Sequence, residues 1–103
     1  MKYNIILACA GGMSTSLLMK KMEKAASDRE IELEICAIGV NVQRIESIEP
    51  KDIVLLGPQI RYEEQKLREK FPDLLIQVID MRDYGTMNGE AVLEAALKVI
   101  NGP

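Results

Sequence analysis

The chain has 103 residues, 48% hydrophobic and 28% charged, with a net charge of −3 and neither histidine nor tryptophan. That length fits one domain over residues 1–103, burying roughly two-thirds of the surface its unfolded chain exposes. Mild acidity without a basic cluster argues against nucleic acid as a partner, and the missing histidine excludes Ser-His and Cys-His catalytic pairs and every His-ligated metal site.

Met1-Lys2-Tyr3 runs straight into an apolar stretch too short for the core of a signal peptide. No run approaches the ~20 apolar residues that span a bilayer. The expected location is the cytoplasm, without membrane insertion, where Cys9 and Cys36 stay reduced. Residues 3–8, Y-N-I-I-L-A, read as a strand ended by glycines. From Ser16 to about Asp28 an apolar stripe of Leu17, Leu18, Met22, Ala25 and Ala26 recurs at helical spacing, with Lys20, Lys21, Glu23 and Lys24 on the other face. Residues 32–38, E-L-E-I-C-A-I, alternate at first, as in a strand with one side towards water. Val42, Ile45 and Ile48 suggest a short helix before Pro50.

Residues 52–58, D-I-V-L-L-G-P, form an apolar strand with a Gly-Pro stop. Residues 60–71 fit a helix with Ile60, Leu67 and Phe71 on one stripe, Glu64 and Arg68 at supportive spacing, and Pro72 as terminator. Residues 74–80, L-L-I-Q-V-I-D, give the fourth strand. Asn88 is positioned to cap a last helix carrying Val92, Leu93, Ala96, Leu97 and Ile100.

Strands alternating with helices imply right-handed crossovers and a parallel sheet: an α/β fold with four parallel strands. The first and third strands are the most apolar and belong in the centre. Glu32 and Glu34 send the second to one edge, and Gln77 sends the fourth to the other. The order is then 2-1-3-4, reversing direction between strands 1 and 3. Ligands in such sheets bind beyond the carboxyl ends of the strands at that switch point, where C-A-G-G-M-S-T-S (9–16) and G-P-Q (57–59) emerge.

A loop feeding a helix N-terminus presents unpaired N–H groups and the positive end of the helix dipole. Gly11 and Gly12 let the backbone curl, and Ser14, Thr15 and Ser16 offer hydroxyl donors, any of which could instead cap the helix. Residues Ala10 to Ser16 thus make an anion cradle suited to phosphate, and its field favours the thiolate of Cys9, the candidate nucleophile. The plainer reading is a buried thiol beside a turn and a cap. Cys36, inside a strand, reads as core packing.

Other phosphate loops fit poorly. The G-x-G-x-x-G fingerprint and the Gly-Lys-Ser/Thr end of the nucleotide-binding loop are both absent. The phosphatase pattern Cys-x5-Arg would require arginine at position 15, where this chain has Thr15. Without that bidentate clamp, a thiol that passes on a phosphoryl group is expected over one that hydrolyses it.

Three segments, C-A-G-G-M-S-T-S-L-L (9–18), V-L-L-G-P-Q-I (54–60) and V-I-D-x-x-x-Y-G (78–85), make the chain resemble the IIB component of the lactose/cellobiose/chitobiose class of the bacterial sugar phosphotransferase system. The resemblance implies a cytoplasmic domain similar to low-molecular-weight tyrosine phosphatases, with helices on both faces of the sheet. It implies that Cys9 takes a phosphoryl group from a phosphohistidine on a IIA partner. The group then passes to a β-linked disaccharide or related sugar held by a membrane IIC permease. Gly11 stands where the family loop more commonly has Ala, and Met81-Arg82-Asp83 is more charged than the family pattern before Tyr84-Gly85. The donor histidine would come from the partner, so the carrier itself requires no metal or cofactor.

Within that reading Gln59 and Tyr84 are possible borders of the phosphate site. Met13, Ile60 and Met87 are candidates for an apolar docking rim, with core packing as their commoner fate. A carrier that alternates partners is expected to be a monomer. The competing readings are a low-molecular-weight cysteine phosphatase or arsenate reductase using the same loop, and a flavodoxin-like binding module with an inert thiol.

Overall fold

The computed structural model describes residues 2–10 and 13–102, with residues 13–15 described by their backbone alone. Four parallel strands, β1 (Lys2–Cys9), β2 (Glu32–Gly39), β3 (Ile53–Leu56) and β4 (Leu75–Val78), lie in the order β2-β1-β3-β4. The helices are α1 (Met13–Asp28), α2 (Val42–Ser47), α3 (Glu64–Lys70), α4 (Met81–Gly85) and α5 (Gly89–Asn101), with a 3₁₀ segment, Pro58–Glu63, leading into α3. The anticipated order holds because the apolar content of each strand matches its exposure. Ile53 to Leu56 are buried along their whole length, whereas Glu32 and Glu34 on the edge strand face solvent. Glu34 pairs there with Lys2 at 3.0 Å.

Alternation along β1 splits the core in two. Ile5 and Leu7 point to one face and pack with Leu18, Met22 and Ala26 of α1 and Leu93 and Ala96 of α5. Ile6 and Ala8 point to the other and pack with Ile45 of α2, Ile60, and Leu67 of α3. Helices therefore cover both faces. Cys36 packs, half-buried, against this second core.

Several boundaries differ from the sequence reading, each for a local reason. Helix α1 begins at Met13 rather than Ser16. Leu17 does not join its buried stripe: Leu18, Met22, Ala25 and Ala26 take the sheet-facing side, and Leu17, one residue round the helix, is exposed. The stretch expected as one helix over residues 60–71 divides, because Pro58 starts a 3₁₀ turn and Ile60 departs from helical geometry at φ −118°, ψ 25°. Strand β4 stops at Val78, since Asp80 turns outward to cap α4, accepting the N–H groups of Arg82 at 2.8 Å and Asp83 at 3.2 Å. Helix α4 itself was not foreseen. At five residues it is too short to show a period and rests on that cap. Asn88 caps α5 as expected, its side-chain oxygen accepting the Ala91 N–H at 3.1 Å.

Candidate functional site

Cys9 is the last residue of β1, and hydrogen bonds on both flanks fix its backbone. Its carbonyl accepts the N–H of Val40 at 3.0 Å, and the carbonyl before it, of Ala8, accepts the N–H of Gly57 at 2.9 Å. The strand ladders thus run one residue past β2 and β3 and clamp the main chain of Cys9 between them. Cys9 is only 2% exposed, while the next residue, Ala10, already lies at the surface. Neither cysteine is in a disulfide.

Beyond the loop stands α1, sixteen residues long, with no acidic residue in its first turn. The positive end of its dipole therefore meets no carboxylate of its own, which favours an outside anion. The early start of α1 corrects one expectation. Ser14, Thr15 and Ser16 fall inside the first helical residues, so none is the cap that precedes the helix. Hydroxyl residues are tolerated there because the first-turn N–H groups have no helical partner to lose. Ser16 is exposed. The expected cradle positions Gly11 and Gly12, and the side chains of Met13, Ser14 and Thr15, lie outside the described residues.

Gln59 comes to Cys9 by way of Gly57. A Cβ built on Gly57 would lie 3.0 Å from Cys9 Cβ and 3.3 Å from Gln59 Oε1, so the carboxamide and the Cys9 side chain approach the same point. Tyr84 lies on α4, the element that follows β4, and is only 8% exposed, packed with the α1–α5 core. For Ile60 and Met87 the commoner of the two expected fates, core packing, is the one observed. Ile60 is buried and Met87 packs half-buried against the core, because both complete the apolar faces of short elements. The large apolar side chains that do face solvent at this edge are Leu17, 48% exposed, Tyr62, 74%, and Met81, 65%. They stand on the elements that follow β1, β3 and β4 at the carboxyl side of the sheet. Periodicity had given no sign of Tyr62, and adjacency to Leu18 was the one hint that Leu17 would be turned away.

A cleft of about 470 Å³ lies at the opposite end of the sheet, lined by Lys2, Asn4, Glu34, Cys36 and the Ile48–Pro50 turn, and is separate from Cys9. Among the described residues, no three His, Cys, Asp or Glu side chains gather as a metal would require, and no helix is long and apolar enough to cross a membrane.

Cys9 ends a central strand at the switch point of the sheet, and α1 is the next helix in the chain. The family described as "PTS system, Lactose/Cellobiose specific IIB subunit" matches residues 4–95. The chain belongs to this IIB family. It is 42% identical to the cellobiose-specific EIIB component of Lactococcus lactis subsp. lactis (strain IL1403), covering 94% of this chain and 95% of that one. It is 38% identical to the oligo-beta-mannoside-specific EIIB component of Bacillus subtilis (strain 168), covering 93% and 94%. The solution structure of a cellobiose-specific IIB component from Borrelia burgdorferi superposes with a TM-score of 0.79 at 41% identity, over 98% of this chain and 94% of that one. A lactose-specific IIB domain from Streptococcus pneumoniae, at 18% identity and a TM-score of 0.75 over 95% and 97%, shares the fold. The IIB fold is thus the one observed here, similar to low-molecular-weight tyrosine phosphatases.

Proposed function

We propose that this IIB chain is a cytoplasmic, monomeric, single-domain phosphoryl carrier working through S-phosphocysteine at Cys9. A phosphohistidine on a IIA partner donates the group. The N–P bond breaks, its electron pair returns to the imidazole nitrogen, and the Cys9 sulfur forms the new P–S bond. In the second step a sugar hydroxyl in the IIC permease attacks phosphorus, its proton leaves to water, and the thiolate is regenerated. The sugar is of the β-disaccharide type, in keeping with relatives named for cellobiose and oligo-β-mannosides.

The observation that carries the reading is the placement of Cys9 between the carboxyl end of β1 and the N-terminus of α1, whose first turn holds no carboxylate. The backbone N–H groups of residues 10–16 hold the phosphoryl dianion, with Ser14, Thr15 and Ser16 as hydroxyl donors and Gln59 and Tyr84 at the border. Leu17, Tyr62 and Met81 form the apolar rim on which partners dock in turn. Because the chain has no histidine, it brings no general base of the usual kind for hydrolysis. Its part is positioning and a balanced affinity for the phosphoryl group.

The test is incubation of the purified chain with phosphoenolpyruvate, the general phosphotransferase proteins and a lactose/cellobiose-class IIA protein. Intact mass is expected to show one added phosphoryl group. An unmodified chain under conditions that phosphorylate the IIA protein would overturn the reading, and steady turnover of an aryl phosphate by the chain alone would favour a hydrolase.

A further inference from the structure

Gly57 is an unusual place for a glycine. Its backbone, at φ −61° and ψ 146°, is extended and open to any L residue, so conformational freedom does not account for it. Pro58 reinforces that extended conformation. The Gly57 N–H is engaged by Ala8 at 2.9 Å and its carbonyl accepts the Ile60 N–H at 3.0 Å, so the main chain is tied on both sides and cannot retreat. What glycine supplies here is space. A methyl group would sit 3.0 Å from Cys9 Cβ and 3.3 Å from Gln59 Oε1, both closer than ordinary van der Waals contact.

We propose that Gly57 is a positioning residue for Cys9: the slot left by its missing side chain seats the Gln59 carboxamide against the nucleophile. The two neighbours respond differently to crowding. Cys9 Cβ is set by the clamped end of β1, whereas the amide is the far end of a flexible side chain. Filling the slot therefore ejects the carboxamide and presses on the thiol. Oε1 is the carboxamide atom at the slot, so a half-turn of the amide presents its N–H donors to an oxygen of a phosphoryl group carried on Cys9. This last step rests on the phosphoryl-carrier reading; the seating of Gln59 against Cys9 does not.

The test uses Cys36→Ala as background, so that Cys9 is the only thiol, and compares Gly57→Ala, Gln59→Ala and the double variant. Three quantities are followed: the rate of Cys9 alkylation by iodoacetamide, the rate of phosphoryl transfer from the IIA protein, and the thermal midpoint. Gln59→Ala empties the slot and is expected to speed alkylation, whereas Gly57→Ala fills it and is expected to slow it. The double variant should alkylate as slowly as Gly57→Ala, because the methyl group still presses on Cys9 and the carboxamide has already left the slot. Transfer is expected to fall by about tenfold or more in Gly57→Ala, because small misplacements of reacting groups are costly, and the losses of the two single variants should not multiply in the double variant.

Alkylation and transfer unchanged in Gly57→Ala, or losses that simply multiply, would overturn the proposal. If Gly57→Ala does not fold, Gln59→Ala decides alone, and unchanged alkylation and transfer in that variant would overturn it. If the background chain accepts no phosphoryl group, the carrier reading fails separately, and the opposed alkylation rates still decide the seating of Gln59.

Discussion

Cys9→Ser is expected to leave a folded protein whose acceptance of a phosphoryl group from the IIA partner falls on the order of 10⁴-fold or more. The oxygen is a poor nucleophile near neutral pH unless a base takes its proton, and this chain has no histidine to do so. Sulfur is intrinsically the stronger nucleophile and requires no such help. Stability is expected to change far less. Position 9 is buried, so exchanging a thiol for a hydroxyl costs about 1–3 kcal/mol if the hydroxyl finds no partner. A thermal melt alongside the transfer assay separates the two effects. Retention of more than a tenth of wild-type transfer by a folded Cys9→Ser chain would rule out the sulfur as the acceptor.

Gly89→Ala should cause a large loss of stability without touching the site. Gly89 opens α5 where that helix crosses α1. A Cβ there would fall 2.5 Å from the carbonyl carbon of Lys21 and 2.6 Å from both Lys21 Cβ and the Met22 nitrogen. These atoms belong to the backbone and first side-chain carbon of a rigid helix, so no rotamer change relieves the clash. The two helices would have to separate, loosening Met22, Ala25, Ala26, Val92, Leu93 and Ala96 together. Overpacking of this kind costs about 1–3 kcal/mol or more, against a gain from Gly→Ala of about 0.4–1 kcal/mol where the backbone allows it. The clash wins. Since 1 kcal/mol moves the midpoint of a domain this size by about 4–8 °C, the melting temperature should drop on the order of 10 °C. Gly85→Ala is the control. Nothing lies within 4 Å of a Cβ at that position, so it should leave the melting temperature unchanged or slightly raised. Equal midpoints for the two variants would mean that α1 and α5 are not packed as described.

The layout of the sheet was legible because each strand carried its position in its composition. Ile53 to Leu56 hold no polar side chain and are buried between helices on both faces, while Glu32 and Glu34 mark an edge. The candidate site was marked for a similar reason: Cys9 ends an apolar run, glycines follow, and the switch point of the observed strand order falls there. Contacts between distant segments were not legible. Leu17 and Leu18 are equally apolar, and the sheet selects only one of them. Tyr62 looked unremarkable in a polar stretch and proves to be the most exposed large apolar side chain at the site edge among the described residues. The role of Gly57 depends on the register that sets Ala8 beside Leu56, and hence Cys9 beside Gly57, which no local pattern encodes. The hydroxyls at positions 14–16 signalled a helix start correctly, but a cap and a first turn draw on the same residue types, so the boundary fell three residues away from the one expected.

The most direct measurement is phosphorus NMR of the chain after transfer from the IIA protein, followed by fragment-ion mapping of the modified peptide. A thiophosphate resonance, with the added mass confined to the fragment containing Cys9, is the predicted result. A phosphoryl group bound to oxygen, or one that maps to a peptide lacking Cys9, would contradict the account.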